Sequence, residues 1–172
     1  MTDHLAGGEA TADEVRLGPL GGFLGFHLRL AQEASFRAFS QAVGERGMRP
    51  SRFAMMVIIA ENPGVTQTAL GRACGRDIST LTTALDDLVR QGLVSRRRDA
   101  ADRRRYGLEL TDRGRQALAR LMRVAEWHDQ RLDELVGVAN KPMLLDVLRR
   151  IILGLDDSGP AGPGEISLLT GT

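Results

Sequence analysis

The hydrophobic period of the chain changes from helical to two at Gly92, and this limits the fold more than any other feature. Before Gly92 the apolar residues recur at helical steps, with Ile78, Leu81, Leu85 and Leu88 three, four and three residues apart. After it, Tyr106, Leu108 and Leu110 alternate with Arg105, Gly107 and Glu109, the pattern of a strand with one covered face. Leu93-Val94 begins an earlier strand, and Ser95 to Arg105 reads as a polar hairpin between the two. Asp77 suits the N-cap of the helix and Gly92 the position just past its end. A shorter helix comes before it, capped by Thr66, with Leu70, Ala73 and Cys74 on its inner face and Gly75 supplying the turn.

Helices flank this segment. One spans about Gly22 to Val43, with Leu24, Leu28, Ala31, Ser35, Phe39 and Ala42 on one face. The next begins at Pro50, carries Phe53, Met56, Val57 and Ala60, and stops at Asn62-Pro63-Gly64. Thr111 caps a long helix reaching about Val136, with Leu118, Leu121, Ala125, His128, Leu132 and Leu135 along its seam. A last helix from about Asn140 is expected to bury Leu144, Leu148, Ile151 and Leu155. The fold class is mainly α with a small β-hairpin wing: two short helices, a tight turn and a hairpin make a winged helix-turn-helix. Residues 1–19 read as a flexible arm and residues 157–172, rich in Gly and Pro, as a disordered tail.

Charge and composition narrow the function. The net charge is only +1, so any basic surface must be local. Ser95 to Arg105 supplies one, with Arg96, Arg97, Arg98, Arg103, Arg104 and Arg105 against Asp99 and Asp102, a net +4. Such a loop can neutralise phosphates and place an arginine in the minor groove. The helix before it presents Ser79, Thr80, Thr82 and Thr83, small hydroxyl side chains suited to a major groove about 12 Å wide. Its N-terminal amides also favour a phosphate. Taken alone, these hydroxyls fit an ordinary solvated helix face equally well, and Asp86 and Asp87 would repel phosphates if they faced DNA. The arginine-rich hairpin beside them tips the reading toward DNA.

Other classes find little support. There is no nucleophile–base pair and no glycine-rich phosphate loop, and Asp86 and Asp87 point about 100° apart on a helix. His4, His27 and His128 have no metal-ligand spacing. No enzyme activity, metal or cofactor is expected. With Cys74 the only cysteine, no intramolecular disulfide can form, which fits a reducing compartment. The first residues lack a secretory pattern, and no apolar run reaches the roughly 18 residues of a membrane span. These features predict a cytoplasmic protein with no membrane partner.

The run from Gly47 to Arg115 resembles the multiple antibiotic resistance regulator (MarR) family. The wing motif Asp102-Arg103-Arg104-Arg105, leading to Leu110-Thr111 and Gly114, carries the likeness most strongly. Gln67, Leu70, Ser79-Thr80 and Gly92-Leu93-Val94 also match, and the resemblance extends over about Leu20 to Leu155. It implies a DNA-binding repressor acting as a homodimer on a double-stranded, pseudo-palindromic operator. In that arrangement 20–48 and 112–156 are dimerisation helices and 49–111 is the DNA-binding domain. It implies that Arg104 enters the minor groove and that Asp102 holds it there. Two departures stand out: Thr83 replaces an arginine common in relatives, and Arg49 replaces a capping threonine.

The resemblance further implies release by a small aromatic or phenolic acid, or its thioester. Candidate ligand residues are His27, Arg29, Phe39, Arg49, Phe53, Trp127 and His128, since aromatic faces stack on a ring and cations pair with a carboxylate. Phe39, Phe53 and Trp127 serve equally as plain packing residues, and His128 as a core histidine. Cys74 reads as a small apolar residue. The alternatives are a winged-helix protein-interaction module and a constitutive DNA-binding regulator without a ligand.

Overall fold

The structure is a computed structural model that describes residues 15–44, 48–75, 77–98 and 106–156. After a 3-10 turn at Gly18–Gly22 the elements are α1 (Leu24–Val43), α2 (Pro50–Glu61), α3 (Gln67–Ala73), α4 (Ile78–Arg90), β1 (Val94–Arg98), β2 (Tyr106–Leu110), α5 (Asp112–Val136) and α6 (Lys141–Asp156). The fold is mainly helical with one two-stranded antiparallel sheet. Two compact units divide the chain after Leu121. Among the described residues no helix is long and apolar enough to cross a membrane.

The first unit is built on one apolar core. Met55, Met56 and Ile59 of α2, Leu70 of α3, and Leu81, Leu85 and Leu88 of α4 are fully buried. Leu93, Val94, Leu108, Leu110, Ala117 and Leu121 complete it from the hairpin and the start of α5. Side chains that recur every three to four residues on α4 therefore meet alternate residues of the strands.

The hairpin pairs Val94 with Leu110 and Arg98 with Tyr106, so β1 extends four residues into the segment expected to be a polar loop. The antiparallel register explains this, because every residue from Val94 to Arg98 has a partner on β2. Sequence patterning also missed a bridge from the α2–α3 connection. Gly64 N–H donates to the Leu108 carbonyl (2.9 Å), and Leu108 N–H donates to that of Val65 (2.9 Å). A contact one residue long leaves no period to detect.

Side-chain caps set the helix starts. Thr66 Oγ1 accepts from Ala69 N–H at 3.2 Å. Asp77 accepts from Thr80 N–H at 2.8 Å and from the hydroxyls of Ser79 (2.6 Å) and Thr80 (2.7 Å). These bonds, the Ser79 hydroxyl first, hold the Asp77 carboxyl well below the usual carboxylate range. Arg49 precedes α2 without a side-chain capping bond, as an arginine must.

Several expected core positions are exposed. Ile78 is 58% exposed because the first turn of α4 stands clear of the core that Leu81 begins. On α1, Phe39 is buried but Leu24 is 62% exposed and Ala31 and Ala42 are also exposed. Ala73 on α3 is exposed too.

In the second unit, Lys141 at the start of α6 donates to Asp129 (2.7 Å) and Asp133 (2.9 Å) of α5. The Asp129 bond, then the Asp133 bond, raises the pKa of this amine. Leu135, Leu144 and Leu155, expected to be buried, are exposed, with Leu155 at 71%. Two helices alone cover only one stripe of each other, so apolar residues around the rest of α6 stay open.

Two stability predictions follow from these joints. A Cβ at Gly114 would lie 2.0 Å from the Leu93 carbonyl oxygen, which is backbone and cannot step aside. Gly114→Ala should therefore cost about 3 kcal/mol or more in urea unfolding, and an unchanged midpoint would rule out the close approach. Because the Asp77 pKa is depressed, its cap is fully present above the unfolded carboxylate value of about 3.9 and is lost only as pH falls well below it. At about pH 5, hydrogen exchange at the Thr80 amide should be faster in Asp77→Ala than in the unaltered chain. Equal rates would remove the cap from this account.

Candidate nucleic-acid interface

α3, the turn at Gly75 and α4 form the helix-turn-helix. Gly75 has φ +58°, a left-handed conformation that glycine adopts without a Cβ penalty. Gln67 Nε2 of α3 donates to Thr82 Oγ1 of α4 at 2.7 Å, pinning the two helices together.

The four hydroxyl residues of α4 differ from one another in what they can offer. Ser79, Thr80 and Thr83 are exposed, whereas Thr82 is half-buried. A hydroxyl has one proton to donate. Ser79 and Thr80 donate theirs to Asp77, and Thr83 points its own at the Ser79 carbonyl, 3.4 Å away. Thr82 donates to the Ile78 carbonyl (2.6 Å) and accepts from Gln67, so its hydroxyl is engaged on both sides. As arranged, Ser79, Thr80 and Thr83 present acceptor lone pairs, which match the exocyclic amino groups of adenine and cytosine in a major groove. The expectation that the first amides of α4 await a phosphate is only partly met, because Asp77 takes the Thr80 N–H and adds a negative charge there.

The carboxylates that would repel DNA are both paired within the fold. Asp87 forms ion pairs with Arg52 of α2 and, at 2.8 Å, with Arg90. Asp86 pairs with Arg96 of β1 at 2.6 Å. Arg97 reaches Glu109 on the opposite strand at 3.1 Å. Two arginines counted as phosphate-neutralising thus already have carboxylate partners. The backbone of Arg98 pairs with Tyr106 at the far end of the described strands. Asp102, Arg103, Arg104 and Arg105 lie outside the described residues.

The expected ligand residues do not form one cluster in the first unit. His27 hydrogen-bonds through Nε2 to the Gly21 carbonyl at 2.8 Å, and Arg29 pairs with Glu33 at 2.7 Å while lying over the Phe26 ring. Phe39 packs on Phe53 with ring centres 5.5 Å apart and is only 4% exposed. Trp127, half exposed, and His128, half-buried, belong to the second unit.

Two open grooves lie nearby. One, of about 350 Å³, is lined by Phe36, Arg37, Ser40, Gln41, Arg49 and Pro50. The other, of about 640 Å³, shares Phe36 and Pro50 and runs past Ala54 and Ile58 to Cys74, Asp77 and Thr80. Arg49 is the only one of the expected ligand residues that lines either groove. Phe36, which lines both grooves, was not among the expected residues because it lies off the apolar stripe of α1; an aromatic residue displaced from its helix's core face was the available signal.

Comparison with known proteins agrees with this geometry. The MarR family model matches residues 48–106. A putative transcriptional regulatory protein for the hcr operon of Thauera aromatica is 36% identical over 148 residues, covering 84% of this chain and 89% of that protein. The transcriptional repressor CouR bound to a 23-mer DNA duplex superposes with a TM-score of 0.74 at 36% identity, covering 81% of this chain and 99% of that one. CouR bound to p-coumaroyl-CoA gives a TM-score of 0.74 at 34% identity, with 81% and 98% covered. The PcaV regulator of Streptomyces coelicolor, in complex with its natural ligand, gives 0.73 at 25% identity, with 80% and 97% covered. The helix-turn-helix, its hairpin and a relative matched over most of both chains lead to one conclusion: the chain belongs to the MarR family and is a transcriptional regulator of that type.

Proposed function

We propose that this chain is a repressor that binds a pseudo-palindromic operator as a homodimer and is released by an aromatic or phenolic acid, or its thioester. The observation that carries the DNA half is the packed unit of α3, α4 and the β1–β2 hairpin, together with its likeness to a repressor recorded on a DNA duplex. In this reading α4 enters the major groove, offering Ser79, Thr80 and Thr83 to base edges, while Thr82 fixes α4 on α3. The wing, with Arg98, Arg103, Arg104 and Arg105, meets phosphates, and Arg104 enters the minor groove under the hold of Asp102. Two-fold symmetry then sets half-sites about one helical turn, or roughly 10 bp, apart.

Homodimerisation is supported by the apolar residues left open on the helices outside the core. Leu24 of α1 and Met143, Ile152, Leu153 and Leu155 of α6 are exposed in a single chain. A second copy is the occupant that would bury these faces, with 20–48 and 112–156 as the dimerisation segments.

The effector half is supported by the pair of grooves and by the ligands recorded with CouR and PcaV. Phe36 offers a ring for stacking where both grooves meet, and Arg37 and Arg49 offer cations to an anionic group. The larger groove reaches Asp77 and Thr80 at the start of α4, so an occupant there touches the cap of the recognition helix.

Fluorescence anisotropy on the DNA upstream of its own gene, against scrambled DNA at one salt concentration, tests the DNA half. A specificity ratio of about 10³ or more is expected, and equal weak binding to both would sink the reading. Arg104→Ala should weaken specific binding by about tenfold or more while leaving the oligomeric state unchanged. Unaltered affinity in that variant would remove the wing from the interface. Adding p-coumaroyl-CoA or p-coumarate to the preformed complex should lower the anisotropy, and no response to a panel of aromatic acids and their thioesters would leave a constitutive regulator.

A further inference from the structure

Arg96 looks like a phosphate contact in the sequence, but its place in the fold gives it a different task. It lies two residues after Val94 on β1, so it shares the face of the strand on which Val94 is buried. Its partner across the sheet, Leu108, is also buried. From that face the guanidinium reaches back to α4 and donates to Asp86 at 2.6 Å.

The pair spans the short connection between α4 and β1. α4 and β1 are joined only by Gln91, Gly92 and Leu93, and Gly92 turns with φ +69°. Asp87, about 100° further round the helix, is held by Arg52 of α2. Two neighbouring carboxylates therefore brace α4 on two sides, one against α2 and one against the wing strand.

We propose that Arg96 is a positioning residue: its ion pair with Asp86 fixes the wing strand relative to the recognition helix, and DNA affinity depends on that pair rather than on a phosphate contact by Arg96. The inference rests on the DNA-binding reading above. A two-point interface gives the physical reason. Groove contacts by α4 and wing contacts by the hairpin add in full only if their separation is set before binding; any freedom that core packing leaves to the strand would have to be ordered on association, and the ion pair reduces it. Both side chains are partly exposed, 37% for Arg96 and 46% for Asp86, so the pair contributes little to global stability and its removal leaves the fold intact.

A double-mutant cycle on the upstream DNA tests this, with salt titration and melting temperature for each variant. Asp86→Asn and Arg96→Gln should each weaken binding about two- to fivefold per chain. The double variant should be no weaker than either single one. Adding Asp86→Arg to Arg96→Asp should recover affinity lost by Arg96→Asp alone. The slope of affinity against salt should not change in Arg96→Gln. The proposal is overturned if Asp86→Asn tightens binding while Arg96→Gln weakens it and lowers the salt slope by about one, the behaviour of a phosphate contact. Strictly additive losses, or no recovery in the charge-reversed pair, overturn it as well. If the unaltered chain shows no specific DNA binding, the DNA-binding reading fails along with this one; loss confined to the patterns above overturns the pairing alone.

Discussion

The joint at Thr111 ties together the pieces on which the interface depends. Thr111 N–H donates to the Leu93 carbonyl at 3.1 Å, and its hydroxyl donates to that of Gly92 at 2.6 Å. The same hydroxyl oxygen accepts from Gly114 N–H at 3.0 Å, which starts α5. One residue thus connects the turn after α4, the start of the hairpin and the first turn of α5. Gly114 lets this happen, because no other residue leaves room for the Leu93 carbonyl against the helix. With the joint in place, Leu93, Leu110, Ala117 and Leu121 close the same core that Leu81, Leu85 and Leu88 begin. The position of the hairpin on the helix-turn-helix is therefore a consequence of core packing, with the ion pairs of α4 acting on what freedom remains.

Local signals in the sequence were enough to place the helices and the turn. Thr66, Asp77 and Thr111 cap where side-chain chemistry says they should, since a capping bond joins residues three apart and needs no tertiary context. The change of period at Gly92 located β2 and the start of β1 for the same reason, but not the four further residues of β1. Burial was less legible wherever the covering partner is distant in sequence. The α1 and α6 stripes have the spacing of core faces, yet Leu24, Leu144 and Leu155 are open. Periodicity reports that a face is apolar and is silent about what covers it. The Val65–Leu108 bridge and the Gln67–Thr82 bond were invisible for a related reason, because each is a single long-range contact.

Charge was the least legible property, and the candidate interface shows why. Counting residues from Ser95 to Arg105 gives a net +4, but Asp86 and Glu109, both outside that window, are paired with Arg96 and Arg97. Including those two carboxylates halves the local excess. The same pairing reverses the sense of Asp86 and Asp87, which look repulsive in the sequence and serve as braces in the fold. A guanidinium held by a carboxylate has less charge to offer a phosphate, and a carboxylate held by a guanidinium repels one less. The hydroxyls follow the same logic, since Asp77 takes the protons of Ser79 and Thr80 and so leaves acceptors where the sequence implied groups able to do either. For a regulator whose net charge is only +1, affinity for a polyanion cannot come from bulk attraction. It depends on which charges the fold leaves available and where it holds them, so pairs such as Asp86–Arg96 and Glu109–Arg97 bear directly on how much of the arginine count can reach a polyanion.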